Sequence, residues 1–167
     1  MDSICCVADA QGYCVKGKFI ICELTFFNDS KDLHQVFRPD IDWSRMTMNE
    51  RKTIQFSCNN IHGLNPHTSK ELPSSKTARS VILDFFRQTY KEGKFVGVKN
   101  NQLEKELKIL QIPYKRLDDA PKLGTLDERQ DVHGAWTCAY HMKIEAPTPR
   151  CTVRKCYRIW FWLENSV

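Results

Sequence analysis

Phe19-Ile20-Ile21-Cys22-Glu23-Leu24-Thr25-Phe26-Phe27 is apolar on both faces except at Glu23. A run of that kind is a central strand covered on both sides, since an edge or half-exposed strand alternates apolar with polar residues. Glu23 then needs a physical account. An ionised carboxylate in such a strand is costly unless a cation satisfies it. Two kinds of partner meet that need, a metal ion or the side chain of an Arg or Lys.

The neighbouring segments place this strand in a sheet. Upstream, Ser3-Ile4-Cys5-Cys6-Val7-Ala8-Asp9 is short, apolar and partly β-branched, and reads as a strand that enters a turn at Gln11-Gly12-Tyr13. Downstream, His34-Gln35-Val36-Phe37-Arg38 before Pro39 reads as a third strand. The short polar link between them makes it antiparallel to the second. Residues 40–64 are less regular, with a short helix expected at 49–52 and an apolar stretch at 53–58, and residues 65–75 carry loop chemistry.

Helical spacing is clear over residues 76–90, where Val81, Ile82, Phe85 and Phe86 share a face and Gly93 follows as a terminator. Phe95-Val96-Gly97-Val98 reads as a buried strand. Residues 101–110 form a helix with Leu103, Leu107 and Leu110 on one side, and residues 113–117 make a last edge strand. Residues 118–129 are a polar connection, and 132–142 fit neither pattern. From Cys151 onward Val153, Cys156, Trp160 and Leu163 share the buried face of a strong helix. The order predicts one α/β domain over residues 1–167, a mixed sheet of three antiparallel strands and then shorter parallel strands, flanked by helices.

Composition narrows the function classes. The chain has 167 residues, is 41% hydrophobic and 27% charged, and has no apolar run long enough to cross a bilayer. The N-terminal residues lack the features of a secretion signal, so the expected compartment is cytoplasm or nucleus and no membrane partner is expected. In that setting eight cysteines and five histidines favour buried thiols and metal ligands over disulfides. A formal charge of +5 mildly favours polyanionic partners.

Several motifs, taken in order, resemble the four-acidic-residue 3′–5′ exonucleases of the ribonuclease H-like fold. Val7-Ala8-Asp9-Ala10-Gln11-Gly12 followed by Phe19-Ile20-Ile21-Cys22-Glu23-Leu24 looks like their opening two strands. Ile61-His62-Gly63-Leu64 is similar to a His-Gly-Ile stretch of the family, and Val96-Gly97-Val98-Lys99-Asn100 with Leu103 and Glu104 to its second motif. The resemblance implies a two-metal nuclease scaffold in which Asp9 holds the first acidic position. Gln11 stands at the second, Glu104 is a stand-in for the third, and Cys151 replaces the fourth. Amides and thiols hold magnesium poorly.

Cys138-Ala139-Tyr140-His141 and Cys151 form a Cys-x2-His-x9-Cys series. With Glu23 this resembles the Glu-Cys-His-Cys zinc site of the Maelstrom domain, an RNA-silencing relative of those exonucleases. Phe56-Ser57-Cys58 and His62 are similar to further features of that domain, some of which recur in proteins of arthropod mobile elements and viruses. The resemblance implies structural zinc at Glu23, Cys138, His141 and Cys151, with thiolate and imidazole donors suited to that ion. The plainer alternative makes Cys151 a core thiol and His141 a surface residue. A second register replaces His141 with His133, or gives His133 the role of an exonuclease's catalytic histidine.

The expected function is a nuclease-derived module that binds RNA or another single-stranded nucleic acid. Lys16, Lys18, Lys99, Arg154 and Lys155 are candidate phosphate contacts; solvated surface charge is the alternative. The competing reading is an active exonuclease using Asp9, Glu104 and His133 with Mg²⁺ or Mn²⁺. A third is a protein-interaction scaffold with partners in a silencing pathway, docking through Trp160-Phe161-Trp162.

Overall fold

The fold was described from a computed structural model, which defines residues 3–67, 71–90, 92–120, 138–143 and 151–165. Five strands form one sheet: β1 (Ile4–Val15), β2 (Lys18–Phe27), β3 (Asp32–Val36), β4 (Phe95–Val98) and β5 (Tyr114–Arg116). Their spatial order is β3-β2-β1-β4-β5. The first three are antiparallel neighbours, while β4 and β5 run parallel to β1. This is the mixed sheet expected from the strand order, and its arrangement is consistent with a ribonuclease H-like fold.

Among the described residues five α-helices accompany the sheet: α1 (Met48–Ser57), α2 (Ala78–Thr89), α3 (Asn101–Ile109), α4 (Ala139–Lys143) and α5 (Thr152–Asn165). On one face, Ala8, Ala10, Leu24, Phe26, Val96 and Val98 pack with Ile82 and Phe85 of α2 and Leu103 and Leu107 of α3. On the other, Ile4 and Val7 pack with Cys156, Ile159 and Trp160 of α5. At the far end Tyr13, Cys22 and Val36 close over Ile54 of α1 and Leu64. No helix among the described residues is long and apolar enough to cross a membrane.

Three local expectations are corrected. First, β1 does not turn at Gln11-Gly12-Tyr13; it runs on to Val15, and the turn falls at Lys16 and Gly17. Gly12 instead sits at a β-bulge, where the pairing slips from Gln11↔Glu23 to Gly12↔Ile21 and leaves Cys22 over. A Cβ at Gly12 would lie 1.9 Å from the carbonyl oxygen of Ile20, so only glycine permits this approach. The bulge turns Cys22 and Glu23 successively toward one side of the sheet and returns Ile21 to the other, where it packs with Leu24.

Second, residues 48–57 are one helix; the expected short helix and apolar stretch are parts of it. Thr47 and Glu50 form a reciprocal capping box at its start. It continues into a π-helical turn, Cys58–His62, closed by Gly63 at φ 67°, a left-handed conformation that favours glycine. Third, β3 begins two residues earlier than expected and ends at Val36: Phe37 N–H still donates to the Cys22 carbonyl at 2.8 Å, but Arg38 pairs instead beside Ser74.

Candidate metal centre

Glu23, Cys138, His141 and Cys151 are all buried, and one ligand atom from each lies within 4.8 Å of the other three. No other group of three or more His, Cys, Asp or Glu residues with that geometry occurs among the described residues. They come from three separately fixed elements. The bulge aims Glu23; Cys138 and His141 stand one turn apart at the start of α4; Cys151 immediately precedes α5. Lys155 N–H donates to the Cys151 carbonyl at 3.1 Å, which fixes Cys151 against the first turn of that helix. Both the thiol and the Glu23 carboxylate therefore sit at the positive end of a helix dipole.

The Glu23 carboxylate is oriented on both oxygens. Oε2 accepts from the Gln11 side-chain amide and from the Thr152 backbone N–H, each at 3.4 Å. Oε1 accepts from His34 Nε2 at 3.0 Å and faces Cys138 Sγ at 3.6 Å, Cys151 Sγ at 3.7 Å and His141 Nδ1 at 3.4 Å. Cys138 Sγ lies 3.0 Å from His141 Nδ1. The far nitrogen, Nε2, donates to the carbonyl oxygen of His62 at 2.8 Å. Below the cluster, Thr25 and Thr152 join β2 to α5 through their hydroxyls, 2.7 Å apart.

These contacts draw positive charge into the site. Burial works against ionising Glu23, but the imidazoles of His141 and His34 outweigh it and hold the carboxyl well below the usual range. Burial likewise opposes protonation of His141, yet hydrogen bonds to Cys151 and Glu23 push its pKa up to about 10. The hydrogen bond from Cys138 brings the Cys151 thiol down to about 4, against burial and with help from His141. Cys138, the donor in that pair, is raised correspondingly. Two sulfurs, a carboxylate and an imidazole converge here, and once the thiols and the imidazole are deprotonated a divalent cation balances their negative charge. All eight cysteines are unpaired, so the two thiols are available as ligands.

The other expected site residues are placed elsewhere. Asp9, 6% exposed on β1, lies beside α5. Its Oδ2 pairs with Lys155 Nζ at 3.2 Å and its Oδ1 accepts from Asn100 Nδ2 at 3.1 Å. Burial raises the Asp9 pKa, while Lys155 and Asn100 pull it back. Glu104 faces β5, bonded to Arg116 and, at 3.1 Å, to the Tyr114 hydroxyl. His133 lies outside the described residues.

The five candidate phosphate contacts are spread over the molecule. Lys16 donates to the Arg45 carbonyl at 3.1 Å beside the β1–β2 turn, and Lys18 is exposed there. Lys99 donates to the Ala120 carbonyl. Arg154 and Lys155 are half-buried on α5. A different set shares one surface: Asn101, Gln102, Glu104, Lys105 and Lys108 of α3 line an open groove of about 540 Å³ with Arg116 of β5.

Gln11, which the sequence places at the second acidic position, and His34, which did not stand out there, complete the surroundings of Glu23. The register Glu23↔Val36 and Thr25↔His34 puts His34 diagonally across from Glu23 on the same face, a relation visible only once the pairing is known. Compared with known proteins, the chain matches no family model, no curated protein and no solved structure.

Proposed function

We propose that this chain is a nuclease-derived module that binds RNA or another single-stranded nucleic acid, with structural zinc at Glu23, Cys138, His141 and Cys151 in place of a two-metal catalytic centre. The observation that carries the reading is the convergence of four buried donors from β2, α4 and the start of α5. Two thiols and an imidazole suit zinc and are poor ligands for magnesium. With four protein ligands a tetrahedral ion is closed and keeps no position for a catalytic water.

The remaining acids support a non-catalytic role. Asp9 already has an ammonium partner in Lys155, and Glu104 a guanidinium partner in Arg116, so neither offers an uncompensated carboxylate to a hard cation. Nucleic-acid binding is supported by the overall charge of +5 and by the α3–β5 groove. That groove runs along α3 beside the edge strand β5. Lys105, Lys108 and Arg116 there suit a phosphodiester backbone, and the amides of Asn101 and Gln102 add donors.

Elemental analysis of the purified protein tests the metal half of the reading; about one zinc per chain is expected from the four-donor set. A metal-free protein that takes up no zinc rules it out. End-labelled single-stranded RNA tests the other half. Intact RNA bound in a salt-sensitive complex supports a binding module, whereas cleavage with Mg²⁺ or Mn²⁺ that Asp9→Ala abolishes makes the chain an exonuclease.

A further inference from the structure

Ionised Glu23 has about four lone-pair positions on its two oxygens, and the structure accounts for three of them. Gln11 and the Thr152 N–H occupy Oε2, and His34 occupies one side of Oε1. What remains on Oε1 faces the two thiols and His141. Glu23 is thus arranged as a single-oxygen ligand, with His34 directly beside the bonding position.

His34 differs from the other residues around the cluster in one respect. Gln11, His62 and Thr152 are buried, as are the four ligands themselves, but the His34 side chain is 22% exposed on the outer strand β3. Among the described His, Cys, Asp and Glu residues in contact with the cluster, it is the one that meets solvent. Its spacing also fits a shared ion. Two donors each about 2.0–2.1 Å from a tetrahedral zinc stand about 3.3–3.4 Å apart, a few tenths of an ångström more than the 3.0 Å between His34 Nε2 and Glu23 Oε1. The hydrogen-bonded pair can therefore open around a cation with little movement of either group.

We propose that His34 is the entry ligand of this metal centre: its imidazole gives up the Nε2 hydrogen to water, takes a thiophilic divalent cation from solution on the freed nitrogen and passes it, through Glu23 Oε1, to Cys138, His141 and Cys151, after which Nε2 is protonated again from water. The inference rests on reading the four buried residues as a metal centre. In the loaded state His34 returns to its hydrogen bond with Glu23 and is a positioning residue. It therefore governs how fast the ion arrives and leaves, while the four buried donors govern how tightly the ion is held.

The test follows Cd²⁺ added to metal-free protein by rapid mixing, using the ultraviolet thiolate-to-metal charge-transfer band to time arrival at the cysteines. His34→Ala is expected to slow the rise about tenfold, equivalent to about 1.4 kcal/mol on the entry barrier, with the final intensity unchanged. His34→Gln keeps a donor for Glu23 but is a poor metal ligand, and should be equally slow. A wild-type rate in His34→Ala overturns the proposal. So does a wild-type rate in His34→Gln alone, because His34 would then only orient the carboxylate. If the unaltered protein shows no charge-transfer band, the metal centre itself is refuted; a normal band with unaltered rates in both variants removes only the entry role.

Discussion

His141 donates its Nε2–H to the backbone carbonyl of His62 across 2.8 Å. A carbonyl oxygen only accepts, so that nitrogen must carry the hydrogen, and in the neutral ring the lone pair is then on Nδ1, the atom facing Cys138 and Glu23. Metal-binding histidines are commonly fixed this way by their second nitrogen. The π-helical turn at Cys58–His62, closed by Gly63, thus presents a carbonyl that selects the tautomer a metal requires.

Removing one sulfur should separate metal binding from folding. Cys151→Ser keeps the shape of the residue but replaces a soft ligand with a poor one. Zinc content should fall well below one per chain, and the melting temperature should drop to that of unaltered protein stripped with a chelator. At a free zinc concentration a thousand times the dissociation constant, the lost stabilisation is about 4 kcal/mol. Equal melting temperatures for the loaded wild type and the variant would contradict a structural ion.

Gly12→Ala should be severe although Gly12 is not itself one of the four ligands. The added methyl would meet the Ile20 carbonyl at 1.9 Å, forcing out the bulge that aims Glu23. A cost of about 3 kcal/mol or more is expected, at the upper end for single substitutions, together with weakened zinc retention. Chemical denaturation and zinc content measured on the same sample check both; a stable variant that keeps its zinc would show that the bulge does not set the site.

The sequence discloses the cluster better than it discloses what holds the cluster in place. Glu23 is legible because it is the single acid in an apolar run, and Cys138 and His141 because two metal-ligand types stand one helical turn apart. The helix beginning just after Cys151 is legible from its apolar face. Gly12 misleads, since a glycine after a short apolar run has the chemistry of a turn, and only the partner strand reveals that the ladder continues past it. His34 depends on the β2–β3 register, and the Asp9–Lys155 pair joins residues at opposite ends of the chain. Local patterns specify elements; contacts between distant segments require the assembled sheet.

Lys155→Met should make stability depend on pH through Asp9. Burial already raises the Asp9 pKa above the ordinary 3.8, and Lys155 is the main group opposing that rise. Without the ammonium the folded-state value climbs further. An acid with a raised folded pKa favours folding below its unfolded pKa, and that advantage is lost as pH rises through the folded value. The variant should therefore lose about 3 kcal/mol at neutral pH, the usual cost of stranding one buried charge, and lose less on acidification. Adding Asp9→Asn should recover much of the deficit. Urea unfolding at neutral and mildly acidic pH decides the matter: a penalty independent of pH would mean that Lys155 contributes packing and not charge.

The α3–β5 groove makes the nucleic-acid reading specific to a place. Lys105 and Lys108 share the groove with Arg116, whose guanidinium is already bonded to Glu104 and Asp118, so the two lysines should carry most of its attraction for phosphate. For single strands each phosphate contact contributes about 0.7 to the slope of log affinity against log salt. Replacing both by glutamate should weaken RNA binding and flatten that slope by about 1.4, while Lys16→Glu with Lys18→Glu, on the distant hairpin, should change it little. Fluorescence anisotropy across a salt series measures both quantities. If the hairpin pair proves the more damaging, the strand tracks the β1–β2 turn and the groove is not its site; if the unaltered protein binds no RNA at any salt concentration, the proposed function is lost while the metal centre stands or falls separately.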